Sequence, residues 1–389
     1  MAKETAPREA PLHPDFASAL SASIGEAAAK TVLEALRAPA SVSIRLNPSK
    51  LQACPFPGAT PLEWNPWAYI LGERPVFTLD PLFHAGCYYV QDTSAMLPLY
   101  LLRQLSGELS PGVRMLDLCA APGGKTTDAA ASLRNLFGDG FCLIANEVMR
   151  QRFGVLQDNV ERWGDPCVGV ISRDPSAFGG SPLFDIILAD VPCSGEGMFR
   201  KDPVAVKEWT PELVDFCAAR SRRILRDIWP SLCEGGLLLY STCTFNRKEN
   251  DETVAWIASE LGADVLRPSV PGAVLPTEYG YLMLPGLVPG EGQYAAVLRK
   301  RGGEARRGNP VLALNPVFPK PEGEGPVYEV DGPTALRYLH GDALVLGADA
   351  PLGPLRIAFH GQVLGPAKNL GKRCNNLYPK GKRIRMDVQ

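Results

Sequence analysis

Histidine is scarce in this chain: four residues, His13, His84, His340 and His360, stand far apart along 389 positions. The ten cysteines are scattered as well, and no two of them form a Cys-x-x-Cys pair. A zinc site draws on such ligands at short paired spacings, so no metal centre is expected. No uncharged apolar run approaches the roughly 20 residues that span a bilayer, so no membrane partner is expected either. Basic residues are not in excess. The 40 Lys and Arg against 42 Asp and Glu leave a formal charge of -2, and any affinity for phosphates must come from a local patch. No secretory pattern opens Met1-Ala2-Lys3-Glu4, so the thiols are expected to be reduced and the protein cytoplasmic.

What is present is enough for a large core. With 46% hydrophobic and 21% charged residues the composition is that of a globular protein, and the length predicts two or three domains. Residues 1–15, rich in Pro, Glu and Ala, read as a flexible tail. The spacing of Phe16, Leu20, Ile24, Ala28, Val32 and Leu36 predicts a helix that Pro39 stops, and residues 41–48 alternate like a short strand. A small α+β module is therefore expected over 16–110. Over 111–300, strand-like runs at 114–118, 140–145, 168–171, 186–188 and 237–240 alternate with helical stretches. That alternation predicts an α/β, doubly wound, Rossmann-like domain, its ligand crevice outside the carboxyl ends of the strands. Residues 301–326 shift to Gly, Pro and Arg and read as a linker. A β-rich unit is expected over 327–389, with strands near 343–346 and 355–358 and a basic end, Lys368, Lys372, Arg373, Lys380, Lys382, Arg383 and Arg385.

The first strand-like run leads into Cys119-Ala120-Ala121-Pro122-Gly123-Gly124-Lys125, then a helix near Thr126, which puts small residues where a cofactor approaches backbone. The loop is neither Gly-x-Gly-x-x-Gly nor Gly-x-x-x-x-Gly-Lys-Ser/Thr, which disfavours a dinucleotide or a nucleoside triphosphate and leaves S-adenosylmethionine. Glu147, at the end of the next run, is spaced to accept ribose hydroxyls. Asp174 and Asp190 end the third and fourth; Asp174 before Pro175 also reads as an ordinary turn residue.

Two further strand ends carry thiols: Asp190-Val191-Pro192-Cys193-Ser194-Gly195 and Tyr240-Ser241-Thr242-Cys243-Thr244-Phe245. A methyl-donor loop beside two thiols suits methylation of carbon 5 of a pyrimidine. That carbon is too weak a nucleophile to attack a methylsulfonium until a thiolate has added at carbon 6. An Asp followed by Val-Pro also resembles the Asp-Pro-Pro-Tyr motif of amino-group methyltransferases, the rival chemistry.

The motif from Asp190 through Phe199-Arg200-Lys201-Asp202-Pro203, together with Tyr240-Ser241-Thr242-Cys243-Thr244, is similar to the Nol/Nop/Sun family of RNA 5-methylcytosine methyltransferases. The cofactor loop through Thr127, Arg45-Leu46-Asn47 and Gln91-Asp92-Thr93-Ser94 match its other motifs. Gly365-Pro366-Ala367-Lys368 and Asn376-Leu377-Tyr378-Pro379-Lys380-Gly381 resemble the C-terminal, PUA-like RNA-binding module of its bacterial small-subunit rRNA members. The resemblance implies a Rossmann-like methyltransferase core, S-adenosylmethionine as cofactor, and 16S rRNA or the 30S subunit as partner, with tRNA or a non-catalytic rRNA assembly role as alternatives. It implies that Cys243 is the nucleophile, that Cys193 assists release, that Asp190 stabilises the base and that Lys125 favours a thiolate. Cofactor contacts fall on Cys119, Ala120, Ala121, Pro122, Gly123, Gly124, Lys125, Glu147, Asp174 and Asp190, and RNA contacts on Arg45, Arg200, Lys201, Lys368, Lys380 and Arg383. One departure stands out: the family's Gly-Glu-Gly-His-Phe reads Gly290-Glu291-Gly292-Gln293-Tyr294 here.

Overall fold

The computed structural model describes residues 11–320 and 323–387. Residues 1–10 of the expected tail, 321–322 of the expected linker and 388–389 lie outside the described residues. Of the rest of the tail only His13 is held against the protein, its ring meeting Trp209 at 5.6 Å, while residues 11, 12, 14 and 15 are exposed. The helix expected over 16–36 is two helices, α1 (Phe16–Ile24) and α2 (Glu26–Ala35), because Gly25 between them takes a φ of 85°, in the left-handed region that glycine adopts without penalty. An antiparallel sheet of β1 (Val42–Leu46), β2 (Thr60–Leu62), β3 (Asn65–Leu71) and β4 (Tyr88–Val90) follows in the order β2-β3-β1-β4. The short α3 (Pro81–His84) precedes β4, and α4 (Leu97–Gln104) leads into the next unit.

That unit runs β5 (Val113–Asp117), α5 (Gly124–Phe137), β6 (Phe141–Asn146), α6 (Arg150–Trp163), β7 (Val168–Ile171), β8 (Phe184–Asp190), α7 (Pro203–Glu208), α8 (Pro211–Ile228), β9 (Leu232–Thr242) and α9 (Asp251–Trp256). It closes with β10 (Ala263–Leu266), β11 (Leu275–Pro276), β12 (Tyr281–Met283) and β13 (Gln293–Lys300). The nine strands form one sheet in the order β11-β12-β13-β9-β8-β5-β6-β7, with β10 also on β13. Strands β5 to β9 are parallel, as the doubly wound expectation requires. The antiparallel flank β10–β13 was not expected.

Alternate residues of each strand feed two cores. Leu116, Ile144, Ile187 and Leu238 point into the cluster that holds Val214, Leu225 and Ile228 of α8, while Met115, Leu143, Ile186 and Leu239 point into the one that holds Leu133 of α5 and Leu156 of α6. Burial on both faces is why these strands read as continuous apolar runs, and each Leu or Ile so buried contributes about 1.5–3 kcal/mol. The strand order reverses between β5 and β8, so the crevice opens outside their carboxyl ends.

The stretch expected to be a linker is docked on the sheet. Arg306 pairs with Asp185 at 2.7 Å, α10 (Pro310–Leu314) forms, and Val317 exchanges two backbone hydrogen bonds with Val170 of β7. The last unit comprises β14 (Val327–Glu329), α11 (Gly332–His340), β15 (Gly353–Phe359), β16 (Gln362–Asn369) and β17 (Cys374–Asn376), sheet order β14-β15-β16-β17. The strand expected at 343–346 reduces to one bridge, Leu344 to Cys374: Leu344 is buried, but Ala343 and Val345 are exposed and gain nothing from pairing. Ala335, Tyr338 and Leu339 share a core with Ile44, Leu46 and Leu82 of the first unit.

Candidate active site

The chain leaves β5 at Asp117, turns through 118–123 and enters α5 at Gly124. Leu118 N–H donates to Leu188 O at 2.9 Å and Ala120 N–H to Asn146 O at 2.8 Å, so the neighbouring strands pin the loop on both sides. Gly123 has a φ of 108°, and a Cβ there would stand 3.3 Å from the Leu156 side chain, which makes glycine the residue that fits. Glu147, just past β6, is 3% exposed. Its Oε1 accepts from Met149 N–H at 2.8 Å, while its buried Oε2 has no hydrogen-bond partner among the described residues. Arg152 Nη1 stands 3.5 Å from Oε2, an ion pair that leaves this oxygen's hydrogen-bonding capacity open to a ligand that brings hydroxyl donors.

Asp117, which sequence reasoning passed over, shares this property: Oδ2 accepts from Thr126 Oγ1 at 2.6 Å and Oδ1 is unpartnered. Burial pushes its carboxyl up to about 7. Its place as the last residue of the strand before the loop was the signal. Burial likewise raises the Cys119 thiol. Asp174 is exposed and turned to its own loop, accepting from Ser176 N–H at 3.0 Å and Ser176 Oγ at 2.6 Å, bonds that lower its pKa. It caps a turn, as Asp before Pro commonly does.

Asp190, by contrast, points into the crevice and is fully engaged. Lys125 Nζ donates to Oδ2 at 2.8 Å, and Ser241 Oγ and Gln293 Nε2 donate to Oδ1 at 2.7 and 3.2 Å. Burial pulls the Lys125 pKa down, but Asp190, helped by Cys243 and Asp117, outweighs it and holds the ammonium above its ordinary value. Because β8 and β9 are parallel neighbours with Asp190 opposite Ser241, the chain leaves both strands on the same side of the sheet. This brings Cys193 Sγ to 3.3 Å from Cys243 Sγ. The hydrogen bond to Cys243, and then burial, push the Cys193 thiol well up.

A second carboxylate centre lies behind the thiols. Glu249 is fully buried and accepts from Ser194 N–H at 2.9 Å, Ser194 Oγ at 2.5 Å and Asn246 Nδ2 at 2.8 Å. Glu196 accepts from Trp209 Nε1 at 2.9 Å, Phe245 N–H at 2.6 Å and Asn246 Nδ2 at 3.0 Å. Together they tie the loop after Cys193 to the loop after Cys243. Burial, opposed by those donors, pushes Glu249 up to about 7. Neither glutamate was singled out from the sequence, since their partners lie up to 55 positions away.

Three expected RNA contacts are corrected. Arg45 is fully buried: its guanidinium donates to Gln91 Oε1 at 2.9 Å, Thr127 Oγ1 at 2.6 Å and Gly124 O at 3.2 Å and lies over the Trp163 ring. It braces the start of α5 and cannot reach a phosphate. Arg200, with an 8% exposed side chain, is held by Glu291 at 2.6 Å and Gly290 O at 2.6 Å. Arg383 folds back over Gly341 and donates to Tyr378 O at 3.4 Å. Lys201 is engaged by Asp92 and Glu291 at 3.2 and 3.4 Å but stays partly open, and Lys368 and Lys380 are exposed. Both new and shared residues of this stretch serve the site: Glu291, which matches the motif, neutralises Arg200, and Gln293, which departs from it, orients Asp190. Among the described residues no group of three or more His, Cys, Asp or Glu is placed to hold a metal ion, and no helix is long and apolar enough to cross a membrane.

Comparison with known proteins bears on all three units. The sequence model of 16S rRNA methyltransferase RsmB/F matches residues 106–298, that of the N-terminal domain of 16S rRNA methyltransferase RsmF matches 12–93, and that of the methyltransferase RsmF PUA domain matches 326–384. Ribosomal RNA small subunit methyltransferase F of Cronobacter sakazakii is 36% identical over 291 residues, and that of Escherichia coli 35% over 290. These matches cover 69% of this chain but only 58% and 59% of the relatives' own lengths. Among solved structures, a methyltransferase homolog from Pyrococcus horikoshii superposes with a TM-score of 0.61 at 26% identity, covering 73% of this chain and 94% of its own. NSun6 from the same organism, solved with SFG, gives 0.60 at 19% identity, covering 75% and 99%.

Proposed function

The chain belongs to the RsmB/F family of 16S rRNA methyltransferases, and we propose that it transfers a methyl group from S-adenosylmethionine to carbon 5 of cytosine in 16S rRNA through a covalent bond between Cys243 and the base. The observation that carries this reading is the 3.3 Å separation of two thiols beside the Asp190–Lys125 pair. An amino-group methyltransferase needs neither thiol.

S-adenosylmethionine fits the residues present: loop 119–124 brings backbone close, Asp117 Oδ1 is a buried acceptor without a hydrogen-bond partner among the described residues, and Glu147 Oε2 meets only Arg152, at 3.5 Å. When bound, it supplies the methyl group as an electrophile. Lys125 sets a positive potential at Cys243 that favours the thiolate, and Asp190 presents a carboxylate edge to the pyrimidine. The Cys243 thiolate adds at carbon 6, and the electron pair moves to carbon 5, which takes the methyl group. Cys243, once bonded to carbon, no longer accepts the Cys193 hydrogen bond. Cys193, left beside the adduct, gives its own proton to solvent and acts as the base that takes the one on carbon 5. The carbon 5–carbon 6 double bond then re-forms and expels the Cys243 thiolate. Lys201, Lys368 and Lys380 are the RNA-facing cations retained in this reading, and cytoplasmic 30S subunits are the partner.

The test is tritiated-methyl transfer to 30S subunits, 16S rRNA and bulk tRNA, with nucleosides identified by mass spectrometry. The expected product is 5-methylcytidine in rRNA. Label in tRNA alone would overturn the substrate, and a methyl group on an exocyclic amine would overturn the chemistry.

A further inference from the structure

Helix α8 carries Arg220, Arg222, Arg223 and Arg226, which have no part in the site described above. Thr210 caps the helix through Leu213 N–H, Pro211 opens it, and Val214, Cys217, Ser221, Ile224, Leu225 and Ile228 bury one face on the sheet. The opposite side presents Phe216, Arg220 and Arg223 at i, i+4 and i+7, hence on one face, with Arg226 one turn further on. Phe216 is 60% exposed, unusual for an aromatic ring on a monomer surface. Arg220 stacks over it at 5.5 Å, and Arg222 and Arg226 stack over Trp256 at 5.9 and 5.5 Å.

These arginines differ from the other cations near the crevice. Lys125, Arg200 and Lys201 are answered by Asp190, Glu291 and Asp92. Among the described residues, none of the four α8 arginines has a carboxylate within the 4.0 Å of an ion pair. Arg223 acts on Asp174 from further off, contributing to its lowered pKa, and Asp215 is taken by Lys248. The helix itself lies beside the thiols: on its buried face Ser221 Oγ donates to Pro192 O at 3.5 Å, the residue before Cys193. It belongs to the opposite side of the sheet from α6, on which the C-terminal module rests through Lys382 with Asp158 and Glu161.

We propose that the Phe216, Arg220, Arg223 and Arg226 face of α8 binds single-stranded RNA, taking the phosphates that lead away from the target nucleotide, with Phe216 stacking on an unpaired base. Arg223 and Arg226 are exposed and free of carboxylates, and an exposed aromatic ring among such cations is the arrangement that binds a single strand without reading its sequence. The inference rests on the proposed RNA substrate.

The test is fluorescence anisotropy with a fluorescein-labelled single-stranded RNA across a KCl series, using the full chain. Arg223→Gln with Arg226→Gln should lower the slope of log K against log salt by about 1.4, about 0.7 for each lost phosphate contact. Arg223→Lys with Arg226→Lys should restore the slope. Phe216→Ala should weaken binding about tenfold with the slope unchanged. Melting temperature and S-adenosylmethionine affinity, which a misfolded variant would change, should match wild type. An unchanged slope in the Gln variant, with methyl transfer intact, overturns this surface alone. RNA binding by wild type that falls as described, without methyl transfer to any RNA, overturns the proposed function and leaves the surface standing.

Discussion

Asp190 and Glu249 both lie near the thiol pair, one answered by a half-buried ammonium and the other by hydroxyl, amide and backbone donors alone. The first arrangement keeps a charge pair at the mouth of the crevice, where a reacting base can feel it. The second has no cation, and burial pushes the glutamate up to about 7. Two acids with similar hydrogen-bond counts therefore do different work: Asp190 is suited to chemistry, while Glu249 holds two loops at a fixed separation.

The sharpest way to break the comparison is to remove what both centres serve. Cys243→Ala should abolish methyl transfer in the tritium assay with Glu249 and Asp190 intact, whereas Cys193→Ala should leave protein covalently attached to RNA on denaturing gels. Lys125→Met should lower the transfer rate by about 10²–10³ while the melting temperature stays near wild type, since a partly open charge pair adds little to folding. Glu249→Ala should do the reverse of an electrostatic lesion. It leaves the buried Ser194 N–H without its acceptor and opens a cavity between the two loops, costs about 3 kcal/mol in urea unfolding, and lowers kcat only through the displaced thiols.

A subtler test uses pH. The folded pKa of Glu249 is raised from 4.5 to about 7, so the folded state binds more protons than the unfolded state between those values. Its contribution to stability is fully present below pH 4.5 and is lost as pH rises toward 7, a change of about 3 kcal/mol. Asp117, raised from 3.8 to about 7, acts in the same direction. Glu249→Gln should flatten its share of that slope and leave Asp117's. The smallest effect is expected from Lys368→Ala, which should leave stability unchanged, while Arg45→Ala should cost about 3 kcal/mol by removing the buried donors to Gln91, Thr127 and Gly124.

The strand ends were legible because apolar runs buried on both faces stop abruptly where polar and glycine residues begin. Asp190, Cys193 and Cys243 were found that way, and the parallel register then set them together. What could not be read was which charges answer one another. Arg200 looks like a free cation within its own loop; its partner Glu291 lies 91 positions on. Arg45 looks exposed in a short strand, yet it is enclosed by Gln91, Trp163 and the start of α5, contacts that no local period encodes. The antiparallel flank β10–β13 was missed for the same reason, since β13 finds its place beside β9 only after a long excursion of chain.

The docked stretch between the second and third units bears on how RNA is held. Val317 fastens the chain to β7 shortly before Val327 begins the last sheet, and the last unit shares a core with the first. The basic surface of the C-terminal unit is therefore presented at a set position, and on the proposed RNA substrate a strand captured there would meet the crevice as part of the same molecule. Its second encounter is governed by an effective concentration instead of diffusion from bulk, so two individually weak contacts multiply into a firm grip.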